Sequence, residues 1–126
     1  LAVYSAAAGL CHVMAQAIKR LWPDTKLAIG PSIAKECFEV DAPCAEEFLA
    51  LPDSDKFVTN DGNGKFHVDL WACNRAFLLG AGVLPEHITT GGVCTMCNSD
   101  LLFSHRVTRG KRGSNAGFLM LREQNA

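Results

Sequence analysis

The sequence predicts a single mixed domain of the α+β or α/β type over residues 1–126. Three observations predict it. Segments with helical spacing alternate with short apolar runs of strand length. One hairpin signal lies near the middle, where Asn60-Asp61-Gly62-Asn63-Gly64 separates two β-prone runs. No internal repeat or low-complexity tract interrupts the chain, and 126 residues with a hydrophobic fraction of 48% suit one domain with a real core.

The elements follow in order. Ser5 to Trp22 reads as a helix. Ser5 is its cap, Leu10, Met14, Ala17 and Leu21 recur at helical spacing, and Lys19 and Arg20 occupy a last turn whose dipole favours cations. Pro23 ends it. Lys26 to Ile29 is a short strand, and Gly30-Pro31-Ser32 turns the chain. Cys37 to Val40 is read as a second strand. Asp41 caps a helix from Ala42 to Leu51, with Pro43 in its first turn. Phe57 to Thr59 and Lys65 to Val68 form the hairpin. Asp69 caps a helix from Leu70 to about Ala81, and Gly80-Ala81-Gly82 stops it. Ile88 to Thr90 and Phe118 to Leu121 are the remaining strand candidates.

Charge and cysteine usage narrow the function classes. With 12 basic and 13 acidic residues the net charge is −1, so no global field attracts nucleic acid or an anionic membrane. No stretch reaches the length of a membrane span. Six cysteines in partly apolar settings are read as free thiols in a reducing cytoplasm rather than a secreted disulfide scaffold. The one basic cluster is Arg106, Arg109, Lys111 and Arg112. It is either a solvated loop or an anion site for phosphate or a nucleotide.

The segment Cys94-Thr95-Met96-Cys97-Asn98-Ser99-Asp100-Leu101-Leu102-Phe103-Ser104-His105-Arg106 concentrates the chemistry. Cys94 and Cys97 form C-x2-C. A zinc site wants four ligands, and His105 would be a third, with Cys37, Cys73 or His67 as a fourth. A redox site wants the motif at a helix start after a strand, which Thr90-Gly91-Gly92-Val93 loosely permits. The reading preferred is that both thiols are reduced, metal-free and largely buried under a loop. In an extended segment Ser104 and Arg106 share one face and His105 takes the other. That pairing points either to phosphate or substrate binding by Ser104 and Arg106, or to a surface salt bridge beside a solvated hydroxyl. Asn74 lies on an otherwise apolar helical face and is expected to tie its helix to a neighbouring loop, with Arg75 pairing Asp69 or Asp100. Neither a phosphate loop nor a dinucleotide fingerprint is present.

Three ordered segments carry a family resemblance: Ala28-Ile29-Gly30-Pro31-Ser32-Ile33 followed by Cys37-Phe38-Glu39-Val40, then Val68-Asp69-Leu70-Trp71-Ala72-Cys73-Asn74-Arg75, then Cys94 to Arg106. Together they resemble the multicopper polyphenol oxidoreductase family, also called laccase-domain or YfiH-like proteins, from about Ser5 to Leu121. The resemblance implies an α+β fold with α/β/β/α layers, similar to the cytotoxic necrotizing factor catalytic domain. It implies a zinc-dependent purine nucleoside phosphorylase acting on adenosine or inosine and phosphate, with adenosine deamination as a side activity. The family's zinc ligands are two histidines and a cysteine on segments like T-A-D-C and H-A-G-W-R-G. Ser5-Ala6-Ala7-Ala8-Gly9 is similar to the continuation of the second of these, so the ligands are expected upstream of Leu1 and none falls in this chain. The chain is thus similar to the C-terminal half of the family's domain, needing its N-terminal half or self-association. Copper oxidation, implied by the laccase label, is not expected without a cluster of histidines. A second function class stays open: a non-catalytic module that binds zinc or a partner through Cys94, Cys97 and His105.

Overall fold

The structure, a computed structural model, describes residues 10–118 together with residues 120 and 123. Helix α1 (Leu10–Leu21) ends as expected. The Trp22 N–H still reaches the Ile18 carbonyl at 2.7 Å, and the Lys19 ammonium donates to the Pro23 carbonyl at 3.2 Å. Its expected cap, Ser5, lies outside the described residues. Strand β1 (Leu27–Ile29) follows.

The chain then makes a tight 3-10 turn over Lys35–Cys37 before strand β2 (Glu39–Asp41). Cys37 was expected in that strand. Instead its N–H bonds the Ala34 carbonyl and the Phe38 N–H bonds the Lys35 carbonyl. Asp41 closes β2 and caps helix α2 (Ala42–Leu49), accepting from the Cys44 N–H at 3.2 Å, with Pro43 in the first turn. The missing N–H of Pro43 costs nothing at that position.

Strands β3 (Val58–Gly62) and β4 (Lys65–Val68) form the expected hairpin. Asn63 and Gly64 both have positive φ, 55° and 72°, the backbone a two-residue turn with the twist of the strands requires. β4 is central in an antiparallel sheet of order β2-β4-β3. Asp69 caps helix α3 (Leu70–Gly80), accepting from the Ala72 N–H at 2.9 Å. Its far end closes with Gly82 at φ 90°, the Gly82 N–H on Leu79 and the Val83 N–H on Leu78. That pair of bonds satisfies two terminal carbonyls.

Strand β5 (Ile88–Thr90) lies parallel to β1, Leu27 opposite Ile88 and Ile29 opposite Thr90. The pairing continues as a single bridge between Ser32 and Cys94, where Ser32 donates to the Val93 carbonyl and accepts from the Thr95 N–H. This bridge seats the Gly30-Pro31-Ser32 turn beside the C-x2-C segment. The last element is a short helix α4 (His105–Thr108). Phe118 and Met120 are exposed and belong to no strand, while Leu119 and Leu121 of the expected last strand lie outside the described residues.

Phe38, Val40, Ala45, Phe48, Phe57, Val68, Leu70 and Cys73 form the core. The antiparallel sheet, α2 and the start of α3 meet there, and α1 and the β1/β5 pair pack on α3. The chain is therefore a mixed α and β domain with two small sheets, one parallel and one antiparallel.

Candidate functional site

The sequence brings two features together at the end of the parallel pair: an open cleft and a cluster of thiols. The cleft encloses about 610 Å³. Ser32, Thr95, Ser104, Arg106, Arg112 and Asn115 give it polar groups, and Ile33, Phe38, Leu70 and Phe103 give it an apolar wall.

Each polar group is held by its own fold element. The Trp71 indole N–H, on the first turn of α3, donates to the Ser32 hydroxyl at 2.7 Å. Ser104 is 3% exposed and is the N-cap of α4, its hydroxyl accepting from the Val107 N–H at 3.4 Å. Ser104 and Arg106 were expected on one face of an extended segment. They are instead a cap and a helical residue, and they still meet at the same cleft. His105, expected on the opposite face, lines the cleft too. The Arg106 guanidinium lies 5.5 Å from the centre of the Phe38 ring and donates through Nη1 to the Glu39 carbonyl at 3.0 Å. The stacked cation and its one backbone anchor fix its plane while leaving further donors of the fork. Asn115 pairs both ways with the Phe103 backbone, each bond 2.9 Å, and pins the C-terminal segment across the cleft. At Gly113 an added Cβ would come within 2.8 Å of the Phe103 ring, so the half-exposed ring would have to shift to admit it.

The thiol cluster joins Cys37, Cys94 and Cys97, whose sulfurs all lie within 4.8 Å of one another. Cys37 Sγ is 3.5 Å from Cys97 Sγ. Cys94 Sγ accepts from the Ala34 N–H at 3.3 Å and the Cys97 N–H at 3.5 Å, and Asn98 locks the turn by donating to the Cys94 carbonyl at 2.8 Å. Burial works against a Cys94 thiolate, but the N–H groups of Ala34, Cys97 and Met96 and the Cys97 thiol outweigh it and bring Cys94 down to about 7. Cys37 is pushed up to about 11, first by its hydrogen bond to the Cys97 thiol and then by burial and the nearby Cys94. Three thiols this close can hold a metal ion.

The cluster corrects two expectations. Cys94 is buried, but Cys97 is exposed rather than tucked under a loop. Of the proposed companions, Cys37 joins the pair and the others do not. Cys73 is in the core, His67 Nδ1 sits 2.5 Å from the Asp61 carboxylate, and His105 is outside the cluster. The expected tie from Asn74 is also missing for one atom. Among the described residues its Oδ1 is buried without a hydrogen-bond partner, and Arg75 forms no salt bridge with Asp69 or Asp100. Ser32, Thr95 and Asn115 were not singled out as site residues. Ser32 and Thr95 nevertheless lie on two of the three segments that carry the resemblance, whereas Asn115 had no signal in the sequence.

Comparison with known proteins places these features in a family. The family model described as multi-copper polyphenol oxidoreductase laccase matches residues 4–122. The chain belongs to this family. Purine nucleoside phosphorylase YlmD of Bacillus subtilis is 34% identical over 101 residues, covering 79% of this chain and 36% of the relative. Adenosine deaminase RL5, from an unknown prokaryotic organism, is 39% identical over 92 residues, covering 71% of this chain and 34% of the relative. The crystal structure of YlmD from Geobacillus stearothermophilus superposes with a TM-score of 0.75 at 32% identity, covering 86% of this chain and 42% of that one. This laccase-family chain thus spans well under half the length of the relatives it matches.

Proposed function

We propose that this chain is the C-terminal part of a zinc-dependent purine nucleoside phosphorylase, with adenosine deamination as a side activity. The observation that carries the reading is the cleft. It sets Arg106 and Arg112 beside an apolar and aromatic wall, in a chain similar to proteins named phosphorylase and adenosine deaminase. A flat purine suits the Phe38, Leu70 and Phe103 side, and an anion suits the guanidinium side.

In phosphorolysis a phosphate oxygen forms a bond to the ribose C1′ while the bond from C1′ to the purine nitrogen breaks. The purine leaves with a proton on nitrogen, and a sugar 1-phosphate remains. The share of this chain in that reaction is binding. Arg106, with Ser104 at the same cleft, holds the phosphate, and the apolar wall excludes water from the base. Zinc dependence belongs to the proposal, with the ligands expected from sequence beyond this chain. So do a cytoplasmic setting and a layered α/β/β/α whole, similar to the cytotoxic necrotizing factor catalytic domain, in which the two small sheets here join others.

The test is Arg106→Ala in the complete enzyme. The loss of a charge-assisted hydrogen bond, about 1.5–3 kcal/mol, raises the KM for phosphate roughly 10- to 150-fold, with little change in thermal stability. An unchanged phosphate dependence removes Arg106 from the site. The second reading, a non-catalytic module, is favoured by the thiols alone: Cys94 and Cys97 gain Cys37 as a neighbour, while His105 stays apart.

A further inference from the structure

We infer that Cys37, Cys94 and Cys97 form a binding site for one thiophilic cation of the Zn(II) or Cu(I) class, distinct from the zinc of the phosphorylase reading. The site is independent of that reading, because it is made by residues of this chain alone.

The argument begins with what the three thiols are not. Cys73 is fully buried among Phe48, Val68 and Leu70 and shows what a space-filling thiol looks like in this fold. Cys97 is exposed and Cys37 only half-buried, so packing does not explain why they converge from 60 residues apart. Zinc–sulfur bonds of about 2.3 Å at tetrahedral angles put sulfurs about 3.8 Å from one another. The observed 3.5 Å between Cys37 and Cys97, with all three sulfurs within 4.8 Å, is close to that spacing. Little movement closes the set around one ion.

The backbone supports the same reading. In the Cys94–Cys97 turn the Cys97 N–H donates to the Cys94 sulfur, and the Ala34 N–H reaches it from the other segment. These donors stabilise negative charge on sulfur whether or not a cation is there. Among the described residues no histidine or carboxylate joins the set. Three sulfurs alone suit a trigonal Cu(I), or a Zn(II) that takes its fourth ligand from solvent at the exposed Cys97 side.

The cation would also act on the cleft. Phe38 follows Cys37 and Thr95 lies between Cys94 and Cys97, and both line the cleft. One ion bonded to all three sulfurs fastens these two parts of the wall together.

The experiment uses the reduced, chelator-stripped protein titrated with Co(II) as a spectroscopic probe of thiolate ligation. The expected result is a near-ultraviolet sulfur-to-cobalt charge-transfer band that saturates at one equivalent. Zn(II) displaces it and raises the melting temperature. Cys97→Ser, at an exposed position, and Cys37→Ser weaken binding at least about 100-fold, while Cys44→Ser binds like the parent. Alkylation mass spectrometry guards against misfolded variants: in the parent protein Zn(II) slows labelling of Cys37, Cys94 and Cys97 but not of Cys44. An anaerobic Cu(I) arm separates the two ions, since X-ray absorption reads three sulfurs alone for Cu(I) and three sulfurs with one lighter atom for Zn(II). Absence of a charge-transfer band, a band that survives in Cys97→Ser and Cys37→Ser, or labelling rates untouched by Zn(II) would each overturn the site.

Discussion

Cys44 sits in the first turn of α2, half-buried, and its thiol is raised above the ordinary 9.0. Burial is the leading cause, the carboxylates of Asp41 and Glu47 add to it, and Arg106 opposes them. The sign of its effect on stability follows. As the pH climbs past 9.0 the unfolded thiol loses its proton while the folded one keeps it. The native state then binds more protons, and stability falls with pH. The contribution is full below 9.0 and is lost as the pH rises through the folded value. Urea denaturation at a series of alkaline pH values therefore shows a shallower decline for Cys44→Ala than for the parent chain, and equal slopes would contradict the burial of this thiol. At this scale the sequence was a partial guide. The Cys94–Cys97 pair stood out by its spacing, and Ser104 and Arg106 line one cleft, though as a cap and a helical residue rather than on one face of an extended segment. Cys37 stayed one of three candidates, because no spacing rule links thiols that meet through tertiary folding. The unmet expectation at Asn74 Oδ1 has a related cause: periodicity reports which face a residue occupies, not which donor awaits it.

Two aspartates show where elements were legible. Asp41 and Asp69 each follow a strand and precede an apolar helical run, and both cap as the sequence implied. Asp69 carries more, since its helix supplies Leu70 and Cys73 to the core and Trp71 to Ser32. Asp69→Ala is expected to cost about 1 kcal/mol in equilibrium unfolding, within the range of roughly 0.5–2 for lost caps. A loss below a few tenths would mean that tertiary packing alone sets the start of α3. Elements of about one helical turn were where the reading failed. Cys37 is read as the start of a strand because Cys37-Phe38-Glu39-Val40 alternates, yet it closes the tight turn Lys35–Cys37. His105–Thr108 was read as extended because four residues display no periodicity, although Ser104 is a good cap residue. Both misreadings fall beside the site. The tight turn swings Cys37 toward Cys97, and the short helix turns His105 and Arg106 to the same cleft.

For the molecule as a whole, the parallel pairing of β1 with β5 was not legible, since its partners Leu27–Ile29 and Ile88–Thr90 are far apart in the sequence and carry no shared motif. That pairing builds both the cleft and the thiol cluster. Surface composition points to the last prediction. On α1, Val13, Met14 and Leu21 are 62%, 55% and 57% exposed, with Trp22 beyond its end at 61%; near the cleft, Leu101 is 81% exposed and Phe103 50%. Scattered apolar residues are ordinary on a surface, but several large ones on a single helix with a tryptophan at its end are expected to favour association. The chain also covers only 36% of the Bacillus subtilis phosphorylase. This chain by itself is therefore expected to associate at micromolar concentrations and to leave inosine and adenosine intact in the presence of zinc and phosphate. Sedimentation measures the first property, against a monomer of 13.6 kDa, and release of free base measures the second. Exposing less apolar surface by Trp22→Ser and Met14→Gln shifts the sedimentation toward monomer without creating activity. A monodisperse 13.6 kDa species of the unaltered chain that cleaves inosine at the rate of a full-length relative would show that the cleft is complete without further sequence.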